Sequence, residues 1–207
     1  MTEPRTNRRL AAILAADVVG YSRLMGADEA ATLASLNGHR RELIDLAIAE
    51  HQGRIVKLVG DGILAEFPSV VNAVACAVMI QRGMQSRNEA VPDDRRIVFR
   101  IGINLGDVII EGDDIFGDGV NVAARLEGVA KPGGIAVSAS VRDHVGERLG
   151  LPFEDMGEQT LKNIARPLRV FHVKWDEDPI APAAAPALAT APPLPVKPSI
   201  AVLPFTT

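Results

Sequence analysis

The spacing of apolar residues along this chain changes between a strand-like and a helix-like period. Residues 9–16 form a short apolar run that predicts a buried strand ending at Asp17. Residues 28–52 place apolar side chains near helical spacing, and Gly53 follows where a helix commonly ends. The pattern therefore predicts a first strand followed by one long helix.

Two later segments have the pattern of β-hairpins. Residues 55–59 and 63–67 are apolar runs separated by a Gly-Asp-Gly turn. Residues 96–104 and 107–111 are two more apolar runs, and Gly106 between them predicts a second turn. We expect each pair of runs to form two antiparallel strands.

The remaining periodic segments extend this pattern. Residues 68–86 and 117–130 predict helices, while residues 135–138 and 168–174 predict strands. Hairpins mixed with helices that cross between strands are typical of an α+β domain. We therefore expect a mainly antiparallel sheet with its helices on one face.

Composition divides the chain into four parts. Residues 1–7 predict a disordered lead, and residues 8–175 a single globular domain. Residues 176–198 contain seven prolines and seven alanines, which predicts a semi-rigid linker. Residues 199–207 resemble the first strand of another domain, so we expect a tethered C-terminal regulatory domain.

Charge and hydropathy exclude several classes of partner. The net charge of −4 argues against a nucleic-acid-binding surface, although it allows nucleotide binding through local positive charge. Arg8 and Arg9 precede an apolar run, but that run stops at Asp17 and is interpreted as a strand and not as an export signal. No segment has the length of a membrane-spanning helix, so we expect a cytoplasmic protein with no membrane contact.

Two carboxylates stand where a cation site could form. Asp17 ends an apolar strand, and Asp61 lies at the tip of a predicted hairpin. Hard divalent cations prefer such oxygen ligands on rigid elements, although a Gly-Asp-Gly sequence is also an ordinary turn. The loop after Asp17 has backbone N–H groups that could cradle phosphates; its residues are Val18, Val19, Gly20, Tyr21 and Ser22.

Three further polar residues lie in apolar surroundings. Lys57 interrupts an apolar strand, where it could serve a site or simply reach water from a half-exposed face. Asn121 and Arg125 are four residues apart and share one helical face. Arg125 could hold phosphate charge through a bidentate contact, or it could face a neighbouring helix or solvent.

Three segments together resemble one family. Residues 16–22, 57–62 and 114–127 resemble the catalytic domain of class III adenylate and guanylate cyclases in sequence, order and spacing. The resemblance covers residues 8–174 and implies the ferredoxin-like, palm-type class III cyclase fold.

The resemblance also implies a role for each matched position. Asp17 and Asp61 would bind two Mg²⁺ or Mn²⁺ ions per active site. The implied nucleotide contacts are Lys57 and Asp114 to the base, Asn121 to the ribose, Arg125 to the transition state and Lys162 to the terminal phosphates. Asn163 stands where the family usually has glycine, which weakens the match at Lys162.

These roles predict an adenylate cyclase. A lysine donates and an ionised aspartate accepts, so Lys57 and Asp114 match the N1 acceptor and N6 donor of adenine. The resemblance implies a homodimer in which one subunit supplies the carboxylates and the other supplies the remaining groups. ATP is then the substrate, and cyclic AMP and pyrophosphate are the products.

One other function remains open at this point, and a second is excluded by the sequence. A cyclase-like domain could bind nucleotide and regulate a neighbouring domain without turnover. A diguanylate cyclase would need an acidic residue after Gly133 and Gly134, where this chain has Ile135.

Overall fold

The computed structural model describes residues 7–164 and 166–176. The predicted lead, linker and downstream strand lie outside these residues, apart from Asn7 and Asp176. Their assignment stays a prediction.

The described residues form strands and helices in mixed order. The strands are β1 (Asn7–Val18), β2 (Arg54–Val59), β3 (Gly62–Phe67), β4 (Phe99–Glu111), β5 (Asp114–Phe116), β6 (Ile135–Ser138), β7 (Phe153–Gln159) and β8 (Leu168–Val173). The helices are α1 (Tyr21–Ala27), α2 (Glu29–His39), α3 (Asp45–Glu50), α4 (Val70–Asn88), α5 (Asp118–Val129) and α6 (Ala139–Val145). No helix in this part of the chain combines the length and hydropathy needed to cross a membrane.

The strands make one sheet in the order β2-β3-β1-β4-β6-β8-β7, with β5 paired to β4. Among the described strand pairs, β4 and β6 run parallel and the others run antiparallel. The α+β prediction with a mainly antiparallel sheet is confirmed.

The helices lie on both faces of the sheet, so the prediction of one helical face is wrong. Side chains of β1 alternate between two cores, as the period of a strand requires. Ala12 and Leu14 enter a large core with residues of α1–α4 and α6. Ala11 and Ile13 enter a smaller core with Ala123 of α5. The sheet is therefore covered by α5 on the face opposite the other helices.

The predicted hairpin around Gly106 is also wrong. Residues 99–111 form the single strand β4, which pairs with β1 from Val18 opposite Phe99 to Asn7 opposite Ile110. A Cβ at Gly106 would lie 2.9 Å from the Cα of Gly119, and one at Gly102 would overlap the backbone of α5. These glycines let α5 approach the strand closely, a use of strand glycine that differs from a turn.

The predicted helix over residues 28–52 is divided. Its parts are α2, a π-helical turn at Arg40–Ile44, and α3. Asp28 caps α2 by accepting a hydrogen bond from the Ala31 amide at 3.0 Å. The short helix α1, which the apolar pattern did not indicate, begins directly after Gly20.

Candidate active site

The two aspartates predicted to bind metal lie close together. Asp17 is near the end of β1, and Asp61 lies in the turn between β2 and β3. Because β3 pairs with β1, with Ile63 opposite Ala16, this turn lies beside the end of β1. Asp61 Oδ2 accepts a hydrogen bond from the amide of Val18 at 3.0 Å. The pairing of three strands thus brings both carboxylates to one edge of the sheet.

An arginine and a third acid complete this cluster, and neither was predicted from the sequence to belong to the site. Arg100 lies opposite Asp17 on β4 and donates to both of its carboxylate oxygens, with Nη2 2.8 Å from Oδ2. The same Nη2 is 3.1 Å from Glu127 Oε1, an ion-pair distance without hydrogen-bond geometry. A charge between the apolar residues Phe99 and Ile101 of β4 was the available signal for Arg100. For Glu127 no such signal exists, because it follows Arg125 on an amphipathic helix.

Glu127 is held in its neutral form near neutral pH. Burial raises the pKa of Glu127 to about 8, and the neighbouring Asp17 adds to this effect through a hydrogen bond and its charge. Arg100 opposes the shift, and the charge of Asp61 adds to it. The cluster therefore places one guanidinium against the carboxyl groups of Asp17 and Glu127, of which Glu127 keeps its proton, and Asp61 acts on it through its charge.

The residues at this edge fit a divalent cation that shares its ligands with a substrate. Among residues 7–164 and 166–176, no three or more His, Cys, Asp or Glu side chains are arranged to hold a metal ion by themselves. Mg²⁺ commonly binds through one or two carboxylates and takes its remaining oxygens from phosphates and water. Asp17 and Asp61 supply two such carboxylates.

The loop after Asp17 has fewer amides facing outward than the sequence suggested. The Val18 amide donates to Asp61, and the Val19 amide donates to the carbonyl of Val98 at 2.8 Å. The amides of Gly20, Tyr21 and Ser22 stand at the start of α1, where helix geometry leaves N–H groups without a helical partner. Gly20 has φ +66°, a conformation that glycine adopts without strain. This structure therefore leaves three of the five predicted amides for an anion.

A β-bulge determines the direction of Lys57. In the β2–β3 ladder Ile55 pairs with Ala65 and Lys57 with Leu64, so Val56 is the extra residue. Leu64 packs in the core under α5, so Lys57 shares that face of the sheet. The bulge explains how a lysine fits into an apolar strand without entering the larger core.

Lys57 meets Asp114 directly. The Nζ of Lys57 is 2.7 Å from Asp114 Oδ2 and 5.9 Å from the centroid of the Phe116 ring. The hydrogen bond from Lys57 lowers the pKa of Asp114, and the Ile115 amide, 2.9 Å from Oδ1, lowers it further. The two side chains keep 50% and 28% of their exposure, so a ligand can reach both.

The three remaining predicted residues lie on the outer surface. Asn121 and Arg125 are exposed on α5, and Arg125 Nε donates to the carbonyl of Lys162 at 3.0 Å. Asn163 adopts φ +62°, a left-handed conformation that suits glycine and that asparagine tolerates better than most residues. Asn163 therefore forms a left-handed turn beside Lys162 of the kind that glycine also allows.

The candidate site is thus divided into two groups. We call Asp17, Asp61, Arg100 and Glu127 the carboxylate cluster. We call the ion pair of Lys57 with Asp114 the base pair site, because this pair of residues is predicted to contact the nucleobase of the substrate. Among the described residues, no hydrogen bond or ion pair joins the carboxylate cluster to the base pair site.

Comparison with known families agrees with the fold and the motifs. The sequence model described as adenylate and guanylate cyclase catalytic domain matches residues 5–174. The chain therefore belongs to the adenylate and guanylate cyclase catalytic domain family.

Two curated relatives show how this domain occurs in longer proteins. The chain is 49% identical over 208 residues to "Putative adenylate cyclase 3" of Rhizobium meliloti, covering 99% of this chain and 35% of that protein. It is 28% identical over 180 residues to a pH-sensitive adenylate cyclase of Mycobacterium tuberculosis, covering 83% of this chain and 42% of that protein. The chain thus spans less than half the length of either relative.

Solved structures share the fold. An adenylate/guanylate cyclase/hydrolase structure from Silicibacter pomeroyi is 53% identical, with a TM-score of 0.74, covering 81% of this chain and 97% of that one. The guanylyl cyclase Cya2 is 26% identical, with a TM-score of 0.70, covering 81% and 93% of the two chains. The adenylyl cyclase CyaB of P. aeruginosa, at 24% identity and a TM-score of 0.69 over 82% and 95%, is similar in fold.

Proposed function

We propose that this domain is an adenylate cyclase, which converts ATP to 3′,5′-cyclic AMP and pyrophosphate. The observation that carries the proposal is the ion pair of Lys57 and Asp114. The names of two relatives, both called adenylate cyclases, support the same choice.

Hydrogen-bond types select adenine at the base pair site. The ammonium of Lys57 can donate to N1 of adenine, and Asp114 can accept from the N6 amino group. The lowered pKa of Asp114 keeps its carboxylate ionised, so it acts as an acceptor. Guanine presents a donor at N1 and an acceptor at O6, so GTP would leave both protein groups mismatched.

Asp17 and Asp61 are the proposed ligands of two divalent cations. When bound, Mg²⁺ or Mn²⁺ lowers the pKa of the ribose 3′-hydroxyl and neutralises phosphate charge. To serve as a ligand, Asp17 would give up its bidentate pairing with Arg100, and that guanidinium would then be free to face the anionic substrate. The amides of Gly20, Tyr21 and Ser22 lie at the start of α1, a few residues after Asp17, and would donate to phosphate oxygens.

The remaining groups position the reacting atoms. The 3′-oxygen attacks the α-phosphorus, a new P–O bond forms, and the bond to pyrophosphate breaks. Asn121 orients the ribose, Arg125 faces the charge that develops on the α-phosphate, and Lys162 contacts the terminal phosphates.

A symmetric homodimer explains why the two groups are separate within one chain. The carboxylate cluster of one subunit would face the base pair site, Asn121 and Arg125 of its partner. A two-fold axis then produces two equivalent sites. This arrangement also accounts for the exposure of Asn121 and Arg125, which is unusual for catalytic groups in a closed site.

The assay that tests the proposal compares ATP with GTP, each with magnesium and with manganese. We expect cyclic AMP to form and ATP to be used in preference to GTP. Equal use of both nucleotides, or a preference for GTP, would contradict the assignment of Lys57 and Asp114.

The second candidate is a nucleotide-binding regulatory module without turnover. Its support is that the charged groups of the candidate site are already paired with one another, as Arg100 with Asp17 and Lys57 with Asp114. Nucleotide binding without any cyclic product in the same assay would favour this candidate.

A further inference from the structure

A buried acid next to the base pair site is held by two arginines. Glu66 on β3 keeps 7% of its side-chain exposure. Arg9 Nη2 is 2.6 Å from Glu66 Oε2, while Arg54 Nε and Nη2 donate to Glu66 Oε1 at 3.0 and 2.8 Å. Both arginines therefore pair with the same buried carboxylate, Arg54 through two hydrogen bonds and Arg9 through an ion-pair contact without hydrogen-bond geometry. The two side chains are similarly exposed, at 40% and 43%.

Arg54 also makes one contact outside Glu66 that Arg9 lacks. Arg54 Nη1 donates to the backbone carbonyl of Asp113 at 2.8 Å. Asp113 lies in the turn between β4 and β5, directly before Asp114. Within the described part of the chain, Arg9 makes no bond to this turn.

The bulge at Val56 aligns Arg54 with Lys57. Glu66 and Leu64 are two residues apart on β3 and share a face, so their partners Arg54 and Lys57 share that face too. Arg54 then reaches the carbonyl of Asp113, and Lys57 reaches the carboxylate of Asp114. One strand thus fixes two consecutive residues of the turn.

The strand that carries Asp114 needs this support. β5 has three residues and pairs with β4 at three positions, which leaves a short ladder beside a turn that contains Gly112 at φ +61°. Ile115 is buried in the smaller core, but residues 111–113 are exposed. An exposed turn beside so short a ladder is held weakly by its own hydrogen bonds.

We infer that Arg54 is a positioning residue for base selection, which holds the β4–β5 turn so that Asp114 presents its carboxylate beside Lys57. This inference rests on the proposed function, because it assumes that Lys57 and Asp114 contact the base. Glu66 anchors Arg54 and does not reach the turn.

Arg54→Gln and the matched control Arg9→Gln separate positioning from general stability. Each variant removes one partner of Glu66, and only the first removes the bond to Asp113. For Arg54→Gln we expect the ATP-to-GTP ratio of kcat/KM to fall about tenfold, mainly through KM for ATP, as loss of one fixed polar contact produces. Arg9→Gln should keep the wild-type ratio, and melting temperatures report how much each variant destabilises the fold.

Three further tests separate the role of Arg54 from a general loss of stability. Arg54→Lys retains the positive charge beside Glu66 without the planar fork, so it should fold like wild type and still lose part of the selectivity. Binding of 3′-deoxy-ATP, which cannot cyclise, should weaken in both Arg54 variants and remain unchanged in Arg9→Gln. In an Asp114→Ala background, Arg54→Gln should add no further loss of selectivity.

The outcomes distinguish the two proposals. If the wild type prefers ATP and Asp114→Ala reduces that preference, but Arg54 and Arg9 variants behave alike, the inference about Arg54 is wrong and the proposed function stands. If Asp114→Ala leaves the ATP-to-GTP ratio unchanged, base selection by this pair is wrong and the role of Arg54 is overturned with it.

Discussion

The carboxylate cluster and the base pair site hold charge in different surroundings. The first lies where β1, β3 and β4 pair in the centre of the sheet, and its acids are partly buried around Arg100. The second lies between the edge strand β2 and the short strand β5, and Lys57 keeps half of its exposure. The comparison indicates that the centre of the sheet positions the proposed metal ligands. Two local features, a β-bulge and the β4–β5 turn held by Arg54, position the groups proposed to select the base.

The largest expected effect comes from the carboxylate cluster. Asp61→Asn keeps the shape of the turn and removes one anionic ligand, so cyclic AMP formation should fall by about 10²–10³-fold with either metal. Turnover at saturating ATP is the measurement, with a melting curve as the folding control. Activity within a few-fold of wild type would show that Asp61 is not a metal ligand.

A smaller effect, and one of a different kind, is expected at the base pair site. Asp114→Ala removes the acceptor for the adenine amino group, so the ATP-to-GTP ratio of kcat/KM should fall by about 10- to 100-fold. The dependence on metal concentration should stay as in wild type, because the carboxylate cluster is untouched. A change in metal dependence without a change in base preference would reverse the roles of the two groups.

Glu127 carries a proton near neutral pH, and this distinguishes the carboxylate cluster from the more exposed base pair site. A folded-state pKa of about 8 exceeds the ordinary glutamate value of about 4.3, so the folded protein retains a proton that the unfolded chain releases. The associated stability is fully present below about pH 4.3. It is lost progressively as the pH rises from there through about 8. Glu127→Gln should therefore flatten the decline in melting temperature of the metal-free protein across this range.

Glu154→Gln is the matched control for that measurement. The charge of Lys131 lowers the pKa of Glu154, and Lys174 adds to the effect, so this acid does not titrate between neutral and alkaline pH. The control should keep the wild-type pH profile. An unchanged profile in Glu127→Gln as well would show that Glu127 is ionised throughout.

The smallest effect is expected at Asn163. Asn163→Gly preserves the left-handed turn beside Lys162, so its stability and activity should stay close to wild type. Asn163→Val cannot adopt that conformation without strain and should lose about 1–2 kcal/mol of unfolding free energy. Denaturant unfolding of the two variants checks this, and equal stability would mean that the turn does not depend on residue 163.

The sequence predicted the parts of the fold that depend on local patterns. The apolar run before Asp17 became β1, and the runs around Asp61 became β2 and β3. Gly106 was misread because a glycine that admits a helix and a glycine that makes a turn look alike in one sequence. The position of α5 on the second face depends on tertiary packing that no local pattern encodes.

The candidate site could likewise be predicted only where local motifs indicate it. Asp17, Asp61, Lys57 and Asp114 were found through motifs, and their catalytic roles stay predictions. Arg100 was missed because its partner is set by the register between β1 and β4, 83 residues apart in sequence. The extra residue Val56, which turns Lys57 toward Asp114, is likewise a property of strand pairing.

The central claim is that each site combines the carboxylate cluster of one subunit with Arg125 and the base pair site of the other. Mixing Asp17→Ala with Arg125→Ala tests it most directly, because each variant should be inactive while a mixed dimer contains one intact site. Random exchange makes about half of the dimers mixed, so we expect recovery of about a quarter of wild-type activity. Differently tagged subunits that copurify while activity stays at the level of the separate variants would contradict the shared site.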